Sequence, residues 1–284
     1  MKLLLTGANG FIGTYFQKQY AQQYTIQTFS FLNDNFESLH VKGIDAVVHL
    51  SALVHQMGGA SAEEYERVNV MQTLVLAKKA KESGVGHFIF MSTVKVYGEE
   101  TNILYAENSL CKPEDEYGKS KLKAERALQE LENETFKISI VRTPIVYGYG
   151  VKANIKSLIK LIDTMSILPF GDIANKRSFV YVGNLCAMID KIIETQKSGV
   201  FLASDDKPLS TTRLIELIAK AKHKKIYLLH VKIFGVLLKW IKPSFYKRLF
   251  CDLVVDNALS KKVLDFKNPY TTEEGIVLMV NFKL

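Results

Sequence analysis

Tyr117-Gly-Lys-Ser-Lys121 sets a phenol and an ammonium four residues apart. In a helix that spacing puts both on one face. A free phenol, with a pKa of about 10, is a poor base at neutral pH, and a nearby positive charge favours the phenolate. The pair can therefore move a proton. A second cluster stands at the start of the chain. The apolar run Lys2–Thr6 leads into Gly7, Gly10 and Gly13, with an amphipathic stretch behind them. The first glycine admits a positive φ, the second lets backbone approach a pyrophosphate, and the third lets strand and helix pack closely. The helix N-terminus then offers N–H groups and a positive dipole end to the phosphates. The spacing is Gly-x-x-Gly-x-x-Gly, not the commoner Gly-x-Gly-x-x-Gly. A dinucleotide loop and a proton-transfer pair together imply hydride transfer. A third group is expected at the end of the strand His87–Thr93, where a hydroxyl can hydrogen-bond the reacting carbonyl or alcohol.

These groups need elements to hold them. Apolar runs at 2–6, 25–29, 45–50, 87–92 and 137–142 read as strands, and helical patterns lie near 11–23, 62–83 and 115–133. Strands alternating with helices over the first 145 residues predict parallel βαβ units. Right-handed crossovers gather the loops that follow the strands on one edge, where ligands collect. Thr6, Ser51 and Thr93 all stand at such strand ends. A helix over 153–164 leaves the sheet, and 178–203 returns to it. Residues 1–150, with 178–203 returning, are expected to form the dinucleotide-binding domain, and 151–284 mainly the substrate-binding domain.

The motifs resemble the extended short-chain dehydrogenase/reductases, the NAD-dependent epimerase/dehydratase group, over essentially the whole chain. TGANGFIG matches that family's phosphate loop; Asp45-Ala-Val-Val-His-Leu-Ser-Ala52, FMSTVKVYG, YGKSK, VRTPIVYG and Arg177-Ser-Phe-Val-Tyr-Val-Gly-Asn-Leu185 match later landmarks in order. The resemblance implies an α/β fold: a Rossmann-type doubly wound parallel sheet with a smaller C-terminal substrate domain. It implies substrate hydroxyl contact for Thr93, acid/base work for Tyr117, and ribose contact and tuning of the tyrosine for Lys121. The dinucleotide, NAD(P), would meet Gly7, Asn9, Gly10, Phe11, Ile12 and Gly13, then Ser30, Leu50, Ser51, Ala52, Tyr117, Lys121 and Pro144. A diphosphate-linked sugar would meet His55, Thr93, Asn154 and Arg177.

Departures narrow the chemistry. Family dehydratases carry Thr-Asp-Glu where this chain has Thr93-Val94-Lys95, so loss of water is not expected. Ile145 stands where well-known UDP-galactose 4-epimerases have an asparagine. NAD users usually end the second strand with an acid for the ribose diol. Here that end reads Ser30-Phe31, with Asp34 too far along, and the balance tips slightly to NADP. Stretches such as Ser92–Glu99 and Gly150–Asn154 resemble reductases of 4-keto-6-deoxy-N-acetylhexosamine nucleotides. The segment Lys262–Thr271 resembles epimerases acting on N-acetylhexosamine diphosphate polyprenol. Both act at C4 of an amino sugar held by a diphosphate. Reduction of a 4-keto sugar is the first expectation and 4-epimerisation the second, with UDP or a polyprenyl diphosphate as carrier. A non-catalytic NAD(P) sensor is the reading of a different class, and the intact Tyr117–Lys121 pair argues against it.

At 284 residues, 48% hydrophobic and 23% charged, the chain has the composition of a soluble globular protein. Cys111, Cys186 and Cys251 are too few and scattered for a disulfide framework or a zinc site, so no metal is expected. His223 and His230 lack further ligands at metal spacing. His49, inside an apolar strand, reads as a satisfied core histidine. No signal peptide is expected before a strand that begins at residue 2, and no apolar run approaches the ~18 residues of a membrane span. A cytoplasmic location is expected, at the inner face of the membrane if the basic stretch touches lipid.

The net charge of +8 is uneven: from Lys220 to Arg248 there are eight lysines and one arginine and no acid. No helix-turn-helix or single-strand motif accompanies them, so nucleic acid is not an expected partner. Residues 231–241 read as a helix with a broad apolar face. That helix either closes the substrate cleft or gives a peripheral membrane contact through 220–248. A homodimer is left open.

Overall fold

The computed structural model describes residues 1–54 and 60–281. Ten strands occur among them: β1 (Lys2–Thr6), β2 (Thr25–Phe29), β3 (Ala46–His49), β4 (His87–Thr93), β5 (Lys137–Thr143), β6 (Ile145–Tyr147), β7 (Ile167–Leu168), β8 (Phe179–Tyr181), β9 (Gly199–Leu202) and β10 (Tyr227–Leu228). Six make one sheet in the order β2-β1-β3-β4-β5-β9, every pairing parallel. The chain steps from β1 outward to β2, then back across β1 to β3. That reversal opens a crevice at the carboxyl ends of β1 and β3, where open α/β sheets take ligands. β6 pairs with β8 and β7 with β10 in two small sheets.

Alternation divides each central strand between two cores. Leu3 and Leu5 of β1, Val48 of β3, Ile89 of β4 and Val141 of β5 face one side. Leu4, Val47, Phe88, Phe90, Ile138 and Ile140 face the other. Strands buried on both faces read as unbroken apolar runs, as these do. The first six α-helices in chain order are α1 (Phe11–Tyr20), α2 (Ala62–Tyr65), α3 (Gln72–Glu82), α4 (Glu116–Gln129), α5 (Ala153–Thr164) and α6 (Val182–Thr195). The helix expected over 62–83 is broken by a π-helical turn at Glu66–Met71. α2 begins at Ser61 with a capping box shared with Glu64, which satisfies two N–H groups reciprocally. α6 packs beside α1, where the Tyr24 hydroxyl donates to Asp190 at 2.5 Å, and the chain then enters the sheet edge as β9. The remaining helices are α7 (Thr211–Ala221), α8 (Lys232–Ile241), α9 (Pro243–Phe250), α10 (Ala258–Leu264) and α11 (Thr272–Asn281).

Two histidines are buried in the sheet. The two ring nitrogens of His49 lie 2.7 Å from Thr6 Oγ1 and 2.9 Å from Thr73 Oγ1, so it is a satisfied core residue as read. His87 Nε2 lies 2.7 Å from Ser139 Oγ, whose own proton goes to the Lys197 carbonyl at 2.6 Å. Nε2 of His87 therefore donates, and Nδ1 has no partner among the described residues. Burial holds His49 down to about 3 and His87 to about 4, with Lys121 and Lys137 respectively adding to the effect. Both rings stay neutral in the fold while an unfolded chain takes protons near pH ~6.5. Folded values below unfolded ones mean stability that is full above about pH 6.5 and lost as pH falls toward 4 and then 3. Denaturant midpoints should therefore drop between about pH 7 and pH 4.5, at up to ~1.4 kcal/mol per unit for each ring. His87→Gln, which keeps a donor for Ser139, should shrink that drop. An unchanged drop in the variant would contradict the assignment.

Candidate active site at the carboxyl edge of the sheet

The glycine loop joins β1 to α1. Gly7 has φ +70°, and a Cβ there would come within 2.8 Å of the Leu50 and Ser51 backbone. Only glycine admits both the turn and the approach. Its position brings the loop against Leu50, Ser51 and Ala52, which follow β3. The Ser51 N–H donates to Thr6 Oγ1 at 3.2 Å, tying the two strand ends together. α1 starts at Gly10 without a side-chain cap. A helix start with no side chain over it, facing the crevice between β1 and β3, fits a dinucleotide diphosphate. Asn9 and Gly10 are exposed there, Phe11 and Ile12 half-buried, and Gly13 buried under the turn. Pro144, also buried, follows β5 on the same edge.

Ser30 ends β2 as expected, but Asp34 is closer than the sequence suggests. The turn over 30–34 folds back, and Asp34 Oδ2 accepts from the Ser30 N–H at 2.8 Å. A carboxylate therefore does stand at the end of β2.

Thr93 ends β4 and caps a short 3₁₀ turn (Val94–Val96), its Oγ1 accepting from the Lys95 N–H at 3.3 Å. An oxygen that accepts here keeps its own O–H to donate. The first turn of α4 lies on that 3₁₀ turn, since a Cβ on Gly118 would sit 2.9 Å from the Lys95 carbonyl. The glycine after Tyr117 is what lets α4 come down over the end of β4. α4 starts at Asp115, whose Oδ1 accepts from the Gly118 N–H at 2.7 Å. Lys95 Nζ lies 2.5 Å from both Glu99 and Asp115 carboxylates.

Tyr117 is half-buried, with the Tyr65 ring 6.1 Å away. Lys121 is fully buried; its Nζ donates to the Met91 carbonyl at 2.8 Å and stands 4.3 Å from the centre of the Phe90 ring. Burial pushes Lys121 down to about 7, against the pull of Glu125. Burial pushes the Tyr117 phenol up, with Asp115 and Tyr65 adding to it. Removal from water thus presses each group toward its neutral form. Asn69, buried in the π-helical turn, clamps this region. It accepts from the Leu53 N–H at 2.8 Å and donates to the Leu53 carbonyl and Ser120 Oγ, both at 3.0 Å.

Arg177 is buried and donates to the carbonyls of Lys247, at 3.2 Å, and Cys251, at 3.0 Å. With Asn154 on α5 and Arg248 on α9 it lines a cavity of about 330 Å³ whose other walls include Phe170, Phe179 and Phe245. Burial holds the Arg177 guanidinium below its usual value; Glu99 opposes this and Arg248 adds to it. Two guanidiniums on one apolar cavity repel each other, and a bound dianion would relieve both. Arg248 was not singled out in the sequence, where it sits in a basic run that reads as solvated. His55, the remaining expected substrate contact, lies outside the described residues.

The NAD dependent epimerase/dehydratase family model matches residues 3–202. The UDP-glucose 4-epimerase of Vibrio cholerae is 37% identical over 96% of this chain and 92% of that protein. The N-acetyl-alpha-D-glucosaminyl-diphospho-ditrans,octacis-undecaprenol 4-epimerase of Escherichia coli O157:H7 is 26% identical over the same shares. Among solved structures, the UDP-glucuronic acid 4-epimerase of Bacillus cereus in complex with NAD superposes with a TM-score of 0.81, over 99% of this chain and 98% of that one. At 22% identity that likeness is one of fold.

The two arginines should separate in a binding assay. Arg248→Ala should weaken binding of UDP, used as a diphosphate probe, by at least about tenfold, the worth of one charge-assisted hydrogen bond. Arg177→Ala should lower both UDP affinity and melting temperature, because it also strips the carbonyls of Lys247 and Cys251. UDP affinity unchanged by Arg248→Ala would remove that residue from the site.

Proposed function

This chain belongs to the NAD dependent epimerase/dehydratase family, and we propose that it inverts C4 of a diphosphate-linked hexose or N-acetylhexosamine. The observation that carries the reading is the seating of the Tyr117 turn of α4 on the turn that Thr93 caps. The residues after β1 and β3 fit a nicotinamide dinucleotide. Gly7, Asn9, Gly10, Phe11, Ile12 and Gly13 would hold its diphosphate, Leu50, Ser51, Ala52 and Pro144 would flank it, and Lys121 would meet its ribose. When bound, it supplies a hydride acceptor and donor. Tyr117 takes the proton of the sugar 4-hydroxyl as C4 is oxidised, and returns it when C4 is reduced from the other face. The Thr93 O–H holds the oxygen on C4, and Arg177, Arg248 and Asn154 hold the sugar's diphosphate.

Reduction of a 4-keto sugar would use the same residues. Close identity to a UDP-glucose 4-epimerase along nearly the full length supports epimerisation over it. UDP is the proposed carrier on the same ground. Likeness to the undecaprenol-linked sugar epimerase supports a polyprenyl diphosphate as the second candidate. NAD is the proposed dinucleotide, in place of the lean to NADP: an NADP 2′-phosphate beside Ser30 would meet the Asp34 carboxylate.

Incubation with UDP-glucose and UDP-N-acetylglucosamine should yield the C4 epimer of at least one, with no net change in added dinucleotide. Tyr117→Phe should cost roughly 10²–10⁴-fold in turnover while leaving circular dichroism and dinucleotide binding intact. A variant within about threefold of the parent would contradict the proton-transfer role.

The same assay should show no 4-keto-6-deoxy sugar. Val94 carries no proton, and the Lys95 ammonium is held between Glu99 and Asp115. Appearance of that product would refute the exclusion.

A further inference from the structure

α8 has two apolar sides and only one of them is covered. Its inner side carries Phe234, whose ring centre lies 5.5 Å from that of Phe170 and 6.4 Å from that of Phe250. Its outer side carries Val236, Leu237 and Trp240, which are 59%, 56% and 83% exposed, and Ile241 at the end of the helix is 64% exposed. Leu229 and Val231, just before the helix, are exposed as well. Single exposed apolar residues are ordinary, but a tryptophan among aliphatics on one helix face is not.

Charge says what kind of surface covers it. No acid lies between Glu216 and Asp252, where eight lysines and one arginine do. Some of these are engaged: Lys222 pairs with Asp163, Lys247 with Glu100 and Glu114, and Arg248 lines the cavity. Lys220, Lys225, Lys239 and Lys242 are exposed. A second copy docking through this face would bring two such basic segments together and be repelled. Nucleic acid would meet the lysines but leave the aliphatic side chains without an apolar partner. An anionic lipid surface satisfies both, taking the apolar side chains below the headgroups and the ammoniums among them.

We propose that the outer face of α8 docks this protein on an anionic membrane surface, with the helix lying in the interface plane. At ten residues α8 spans ~15 Å, half of the ~30 Å hydrocarbon core, so it lies on the bilayer and does not cross it. Among the described residues no helix is long and apolar enough to cross. α9 follows α8 directly and supplies Phe245, Arg248 and Leu249 to the arginine-lined cavity. Docking through α8 therefore sets that cavity close to the lipid headgroups. The proposal rests on exposure and charge and is independent of the reaction assigned above.

Trp240 is the sole tryptophan of the chain, so its emission reports on this face alone. The full chain is titrated with vesicles of phosphatidylcholine containing about 30 mol% phosphatidylglycerol, and with phosphatidylcholine alone. The expected result is a blue shift and protection from acrylamide with the anionic vesicles only. The lipid concentration at half-effect should rise at least about tenfold between ~0.05 and ~0.5 M salt, since the attraction is screened. Lys239→Glu/Lys242→Glu, with circular dichroism unchanged, should raise it by a similar factor. The salt series carries the test if that variant fails to fold. No shift with anionic vesicles at low salt overturns the proposal, and so does an equal shift with phosphatidylcholine alone. A shift produced by raising protein concentration without lipid, or by duplex DNA and not by vesicles, assigns the face to another partner and overturns it as well. Emission reads no chemistry, so failure of the epimerase reading would leave this result standing.

Discussion

Glu125 and Arg142 form an ion pair almost wholly removed from water, and the parts of the candidate site are hung from it. Arg142 Nη2 and Glu125 Oε2 are 2.6 Å apart, and Arg142 Nε donates to both carboxylate oxygens. Removing two charges from water costs several kcal/mol each and is repaid only when geometry and hydrogen bonds are complete. Here they are. The Ser92 hydroxyl donates to Glu125, and Arg142 Nη1 donates to the Tyr97 hydroxyl at 2.7 Å and to the Glu107 carbonyl at 3.3 Å. One pair thus joins β4, β5, α4 and the loop after β4. Glu125 stands one turn beyond Lys121 and two beyond Tyr117, so the pair sets the rotation of α4 and with it the direction of the phenol. The network runs on, because Glu107 Oε1 accepts from the Ser260 N–H at 3.0 Å, and Ser260 Oγ accepts from the Leu202 N–H at 2.7 Å.

The same low-polarity surroundings shape the chemistry. Burial presses Tyr117 and Lys121 each toward neutrality. Charge brought in by ligands then matters more than it would in water. In the α9 cavity the guanidiniums of Arg177 and Arg248 stand beside apolar walls.

Much of the sheet was legible in the sequence, because strands buried on both sides are unbroken apolar runs and the glycine loop has a fixed context. Strand and helix ends moved by a few residues, as frayed ends do. The Tyr117–Lys121 spacing was legible because a helix repeats. Glu125 was not: an acid four residues past a lysine on an amphipathic helix reads as solvated until its partner on β5 is known. Arg248 was hidden likewise among lysines. Asp34 was misplaced because the turn over 30–34 folds back on Ser30, and the π-helical turn that aims Asn69 has no sequence signal of its own. The outer face of α8 is a similar case. Its pattern showed an apolar helix, but only the packing shows that Phe234 faces inward and Trp240 outward.

The central claim is that one C4 hydrogen leaves the sugar and returns to it within a single closed event. A UDP-sugar carrying deuterium at C4 tests this most directly, with unlabelled dinucleotide added in excess. The account predicts a C4 epimer that retains the deuterium at C4, with none passing to the added dinucleotide or to water. Deuterium recovered in the dinucleotide pool would mean that oxidised sugar and cofactor part company each cycle, and would contradict it.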